Sequence, residues 1–104
     1  MSKKKSFSEL LKSSQVPVLV DFYADWCGPC KTLSPIVQEV SSAFHGRVKV
    51  IKVNVDKSPY TVAKFQISVI PSMVLIQGKK RIHEFMGVAS TAEILNTLNR
   101  IMES

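Results

Sequence analysis

Apolar residues recur along this chain with two periods, and the switches between them mark out its elements. Residues 16–23 run Val-Pro-Val-Leu-Val-Asp-Phe-Tyr, a β-branched and aromatic stretch that predicts a buried central strand. From Gly28 to His45 the spacing becomes helical, with Leu33, Ile36, Val37, Val40 and Phe44 on one face. Pro35 falls inside that helix and brings no N–H to the ladder, so a kink is expected there, and Gly46 is a natural stop. Residues 48–55, Val-Lys-Val-Ile-Lys-Val-Asn-Val, predict a second strand, apolar enough to be covered on both faces.

Ser58-Pro59 has the order of an N-cap followed by a first helical residue, with Val62, Ala63 and Phe65 behind it as the inward face. Strands at 73–77 and 81–86 flank Gly78-Lys79-Lys80, which reads as a hairpin turn. Ser90-Thr91-Ala92-Glu93 is a capping box, and Ile94, Leu95, Leu98, Ile101 and Met102 form the stripe of the amphipathic helix it opens. Ser6-Phe7-Ser8-Glu9 is a similar box. It predicts a short first helix ending near Ser14 with Phe7, Leu10 and Leu11 inward. The order is therefore α-β-α-β-α-β-β-α. Strand–helix–strand units imply parallel pairing and the hairpin adds an antiparallel pair, so the fold class is α/β, a mixed sheet with helices on both faces.

Composition narrows the picture. At 104 residues and 45% hydrophobic content the chain suits one domain over 1–104 with its own core, which excludes intrinsic disorder, a repeat array and a coiled coil. The basic start lacks the apolar stretch of a secretory signal, and the longest apolar segment, 16–24, is broken by Pro17 and Asp21 and far too short to span a membrane. The expectation is a soluble cytoplasmic protein; an organellar protein stripped of its transit peptide reads the same. The formal net charge is +6, with local clusters at Lys3-Lys4-Lys5 and Lys79-Lys80-Arg81. Such charge either solubilises the surface or steers acidic protein targets. No recognition motif or interleaved aromatic patch accompanies it, which argues against nucleic acid.

The chemistry lies at Cys27-Gly28-Pro29-Cys30, between the first strand and the long helix, an arrangement well known for dithiol redox motifs. Cys27 at the helix N-terminus meets unpaired backbone N–H groups and the positive end of the dipole, which favour thiolate over thiol. Cys30 lies one turn further in, near enough to close a disulfide and better shielded. Pro29 suits the first turn, where its missing N–H is no loss. A structural disulfide over so short a loop would constrain the unfolded chain little. Zinc needs about four ligands, and His45 and His83, which alone could join the cysteines, lack ligand spacing. Haem attachment needs His directly after the second Cys, where Lys31 stands.

Val20-Asp21-Phe22-Tyr23-Ala24-Asp25-Trp26-Cys27-Gly28-Pro29-Cys30-Lys31 resembles the active-site segment of the thioredoxin family. The resemblance extends through Pro35, Val53-Asn54-Val55-Asp56, Ile70-Pro71 and Gly87, nearly the whole chain after Phe7. It implies a thioredoxin fold and a thiol–disulfide oxidoreductase that reduces protein disulfides, with roles in electron transport and cell redox homeostasis. Cys27 would attack a target disulfide and Cys30 would resolve the mixed disulfide. Asp21 matches the family's buried acid, whose desolvated carboxyl suits a proton acceptor for Cys30, and Lys52 the lysine that accompanies it. The plainer alternatives are a solvated strand-end acid and a solubilising edge lysine. Ile70-Pro71 resembles the family's cis-proline loop, whose backbone pairs with an extended target chain. Trp26, Gly28, Pro29, Ile70 and Gly87 would surround Cys27 with an apolar contact surface, although ordinary core packing is the other reading of Trp26. The resemblance further implies no bound metal or organic cofactor, a flavoprotein thioredoxin reductase drawing on NADPH as electron donor, and a monomer acting on disulfide-containing targets away from membranes.

Three departures stand out. The family usually places an extra strand before the first helix, where only residues 1–5 remain, a basic segment expected to be flexible. Four strands are therefore expected, with 48–55 at the sheet edge and Lys49 and Lys52 blocking edge pairing; a short strand over 2–5 is the alternative. Ser72 replaces the more usual threonine after Pro71, and Tyr23 stands where tryptophan is frequent. Two other functional readings stay open: the same fold working in the oxidising or isomerising direction, and a binding module whose apolar surface docks a partner.

Overall fold

The strand expected at 16–23 forms as β1 (Val18–Tyr23), in which every residue but Tyr23 is buried. It starts two residues late because Pro17 has no N–H for a ladder, although the Pro17 carbonyl still accepts from Lys49 N at 2.9 Å. The computed structural model describes residues 7–103, with β1 in the interior of the sheet. On one side β1 pairs in parallel with β2 (Lys49–Asn54), placing Asp21 opposite Lys52. On the other it pairs antiparallel with β3 (Ser72–Gln77), which turns at Gly78, where φ is +64°, into β4 (Lys80–Met86). The strand order is β2-β1-β3-β4, so four strands form among the described residues and β2 is an edge. That position corrects the expectation of a strand covered on both faces: only Val53 of β2 is buried.

The two-residue period of β1 divides the core. Leu19 faces α2 (Gly28–Ala43) and α4 (Thr91–Met102), in a cluster with Leu33, Val40, Met73, Ile94 and Leu98. Val18, Val20 and Phe22 face the other way, toward Leu11 of α1 (Phe7–Ser13) and Phe65 just beyond α3 (Pro59–Lys64). The Phe22 and Phe65 rings meet at 5.6 Å, and burying side chains of this size contributes about 1.5–3 kcal/mol each.

Helix ends follow their predicted caps in part. Ser90 Oγ accepts from Glu93 N at 3.1 Å, as the capping box requires. Ser58 precedes Pro59 as expected but makes no side-chain cap bond, and Ala63 is exposed, because Val62 and the C-cap Phe65 are the ones that turn toward the core. The long helix continues through Pro35 and ends at Ala43, two residues before the expected His45. The Ser6 cap, the basic segment 1–5 and the alternative strand at 2–5 lie outside the described residues.

Candidate active site

Cys27 is the N-cap of α2, in extended geometry with φ −89° and ψ 110°. Its Sγ accepts from Cys30 N at 3.2 Å, so the sulfur stands where a helix presents its unpaired donors. A disulfide joins Cys27 to Cys30 across a Cα–Cα separation of 5.3 Å, one turn of helix. Cys30 was expected to be the better shielded of the two, but in the disulfide both are buried, Cys27 at 4% and Cys30 at 7% exposure. Ala24 is buried with them, and Tyr23, Val55 and Ile70 pack against the pair, so cover comes from three separate segments. Gly28 and Pro29 between them are exposed.

Asp21, within β1, is at 3% exposure, with Oδ1 buried and without a hydrogen-bond partner among the described residues. Burial raises its pKa from the ordinary 3.8 to about 6, against the opposing pull of the Lys52 ammonium. Opposite registers would bring acid and lysine together, yet no ion pair joins them. The exposed Lys52 Nζ instead donates to Ser34 Oγ of α2 at 3.4 Å and lies 5.0 Å from the Tyr23 ring centre. Tyr23, Asp25, Cys30, Lys31, Ser34 and Lys52 are among the residues lining a cavity of about 180 Å³ beside the disulfide.

The Ile70–Pro71 peptide bond is cis, and Ile70 packs against the cysteine pair. The Pro71 carbonyl accepts from Gly87 N at 2.8 Å, and Gly87 has φ +78°, a conformation that disfavours any side chain. Ser72 Oγ donates to the Val69 carbonyl at 2.6 Å, closing the loop from its other end. Trp26 is no core residue: it is 70% exposed and donates Nε1–H to Asp56 Oδ2 at 2.8 Å. Asp56 is itself set by its N–H donating to Asn54 Oδ1 at 2.9 Å.

Cys27, Cys30 and Ile70 thus meet directly, and Pro71, next to Ile70 in the chain, is hydrogen-bonded to Gly87. Three residues escaped the sequence reading of the site. Asp56 and Ser34 act only through contacts across the fold, and Met86, opposite Ser72 in the ladder, adds an exposed apolar side chain beside the proline loop. An Asn-x-Asp turn after a strand was the one available signal for Asp56.

A dithiol pair that closes across the first turn of a helix, on a mixed sheet and beside a cis-proline loop, defines a thiol–disulfide oxidoreductase. Similarity to known proteins agrees. The family model described as Thioredoxin matches residues 1–100. A protein named Thioredoxin from Synechocystis sp. is 38% identical over 97 residues, covering 93% of this chain and 91% of its own. Thioredoxin from Rickettsia conorii is 39% identical over 95 residues (91% and 90%), and Thioredoxin 1 of Chlorobaculum tepidum is 46% identical over 74 (71% and 73%). The chain belongs to the thioredoxin family and is a protein-disulfide reductase. Members of this family need no bound cofactor; among the described residues no cluster of three or more His, Cys, Asp or Glu is placed to hold a metal ion. No described helix is long and apolar enough to cross a membrane.

Proposed function

We propose that Cys27 is the attacking thiol and Cys30 the resolving one, in a cycle that runs toward reduction of targets. The observation that carries this is the Cys27 sulfur at the N-terminus of α2, accepting the Cys30 N–H. The same donor and the helix dipole favour thiolate once the pair is reduced. The Cys27 thiolate attacks one sulfur of a target disulfide, forming a mixed disulfide and releasing a target thiolate that takes up a proton. The Asp21 carboxylate then accepts the Cys30 thiol proton. The Cys30 thiolate attacks the Cys27 sulfur, forms the Cys27–Cys30 disulfide and expels the second target sulfur, which is protonated in turn. Two electrons and two protons pass from the pair to the target.

Target chains dock in extended form along the Ile70-Pro71 backbone, with Trp26, Gly28, Pro29 and Gly87 as the surface around Cys27. Lys52 moderates the charge near Asp21. A flavoprotein thioredoxin reductase, using NADPH, restores the dithiol, so NADPH serves indirectly and nothing is bound between cycles. The +6 charge favours acidic targets. The chain works as one domain and a monomer in the cytoplasm, in electron transport and redox homeostasis.

The test is substitution of each cysteine. Cys27→Ser abolishes reduction of a protein disulfide, whereas Cys30→Ser accumulates a covalent, thiol-reversible adduct with the same substrate. Turnover surviving Cys27→Ser, or adducts formed by Cys27→Ser and not by Cys30→Ser, would overturn the assignment of roles.

A further inference from the structure

Lys52 stands opposite Asp21 in the parallel ladder, on the strand face that β1 and β2 turn toward α2. A flexible ammonium in that position has a buried, unpartnered carboxyl oxygen within its neighbourhood, at Asp21 Oδ1. An ion pair is the arrangement such charges ordinarily reach. The structure holds another: the Lys52 ammonium is engaged by Ser34 Oγ at 3.4 Å and by the face of the Tyr23 ring at 5.0 Å, with no ion pair to Asp21. Ser34 is half-buried on the second turn of α2 and Tyr23 ends β1, so both anchors are fixed by regular structure.

We propose that Ser34, together with the Tyr23 ring, is a positioning residue that holds the Lys52 ammonium against α2 and out of ion-pair contact with the Asp21 carboxyl. The inference rests on Asp21 acting as the proton acceptor for Cys30. An ammonium within about 4–6 Å of a carboxylate stabilises its charged form and makes it a weaker base. Lys52 already draws the Asp21 pKa down against burial, and keeping it out of ion-pair contact limits that pull, which preserves a carboxylate basic enough to take a thiol proton near neutral pH. The remaining titratable groups around the cavity are Lys31 and Cys30 of α2, and Tyr23 and Asp25 at and just past the end of β1. β3 sets Met73 opposite Asp21, and α4 turns Ile94 and Leu98 to this side of the sheet.

The test is a carbon-13 titration of the Asp21 carboxyl in the oxidised full-length protein, where neither cysteine titrates. Ser34→Ala is expected to lower the Asp21 midpoint by about 1 pH unit as Lys52 turns inward. Ser34→Thr, which keeps the hydroxyl, should hold the wild-type midpoint, and adding Lys52→Met to Ser34→Ala should erase the fall. An unchanged midpoint in Ser34→Ala, or a fall that persists without Lys52, overturns the proposal. The rate of mixed-disulfide resolution against pH separates it from the reading beneath it. If the midpoint falls in Ser34→Ala and the acid limb of that rate follows, both stand. If the midpoint falls and the acid limb stays, Ser34 positions Lys52 but Asp21 is not the proton acceptor.

Discussion

Trp26 donates its indole N–H to Asp56 Oδ2 at 2.8 Å, so a ring that is 70% exposed is held in one orientation beside Cys27. An exposed indole otherwise samples several rotamers, and a docking target must then restrict them. Asp56→Ala is expected to lower kcat/KM for a protein disulfide about 2–10-fold, matching the about 0.5–1.5 kcal/mol of such a hydrogen bond. Melting temperature should barely move, since the bond is at the surface. Steady-state kinetics with a protein substrate checks this, and a small disulfide that does not touch Trp26 should show no loss.

Asp21→Asn should stabilise the protein at neutral pH. The folded carboxyl has its pKa raised from 3.8 to about 6 by burial, so between those values the folded state binds more protons than the unfolded one. Stability therefore falls as pH rises from about 4 to 6 and stays low above. The difference corresponds to about 3 kcal/mol. An uncharged amide of the same shape escapes that penalty, so the variant gains up to about 3 kcal/mol at pH 7 and nothing at pH 3. Denaturant unfolding across that range tests the sign as well as the size, while Cys30 resolution in the same variant should slow.

Gln66 follows α3 at φ +54°, the left-handed conformation usually given to glycine. Its N–H donates to the Ala63 carbonyl at 3.1 Å and Ile67 N–H to Val62 at 3.0 Å, the paired bonds of a Schellman ending. Gln66→Gly removes the steric cost but loosens the unfolded chain. The net expectation is about 0.5–1 kcal/mol of stabilisation, or about 2–6 °C in Tm, by thermal unfolding. A drop in Tm would mean the glutamine side chain contributes more than its backbone costs.

Periodicity reached the scaffold because burial on a sheet or a helix face repeats within one element. Leu33, Val37, Val40 and Phe44 had to share a face, and so did Ile94, Leu98 and Met102. Short elements were harder: with six residues, α3 has too few turns for a stripe, and Ala63 fell on the wrong side. The cysteine pair was legible because its spacing is itself the geometry. Exposure was not, since the cover over Cys27 comes from Val55 and Ile70, far away in sequence. Ser34 was invisible for the same reason, as its partner lies eighteen positions away on a neighbouring strand.

The direction of the redox cycle follows from how strongly the reduced pair is stabilised. A disulfide becomes oxidising when its dithiol form is held by strong charge interactions. Here the reduced Cys27 gains the Cys30 N–H and a helix N-terminus, worth about 0.3–1 kcal/mol, while Gly28 and Pro29 between the cysteines carry no charge. At about 1.4 kcal/mol per 30 mV, that stabilisation raises the potential by only about 5–20 mV. The midpoint is therefore expected to be more negative than the glutathione couple. Trp26 precedes Cys27 directly and is the chain's single tryptophan, so its fluorescence across thiol–disulfide buffers reads the transition without a label. A midpoint well above glutathione would mean a charge interaction stabilises the dithiol that the oxidised structure does not contain, and the chain would oxidise its targets. No transition at all would leave the apolar surface around Trp26 as the working part and the cysteines as structure.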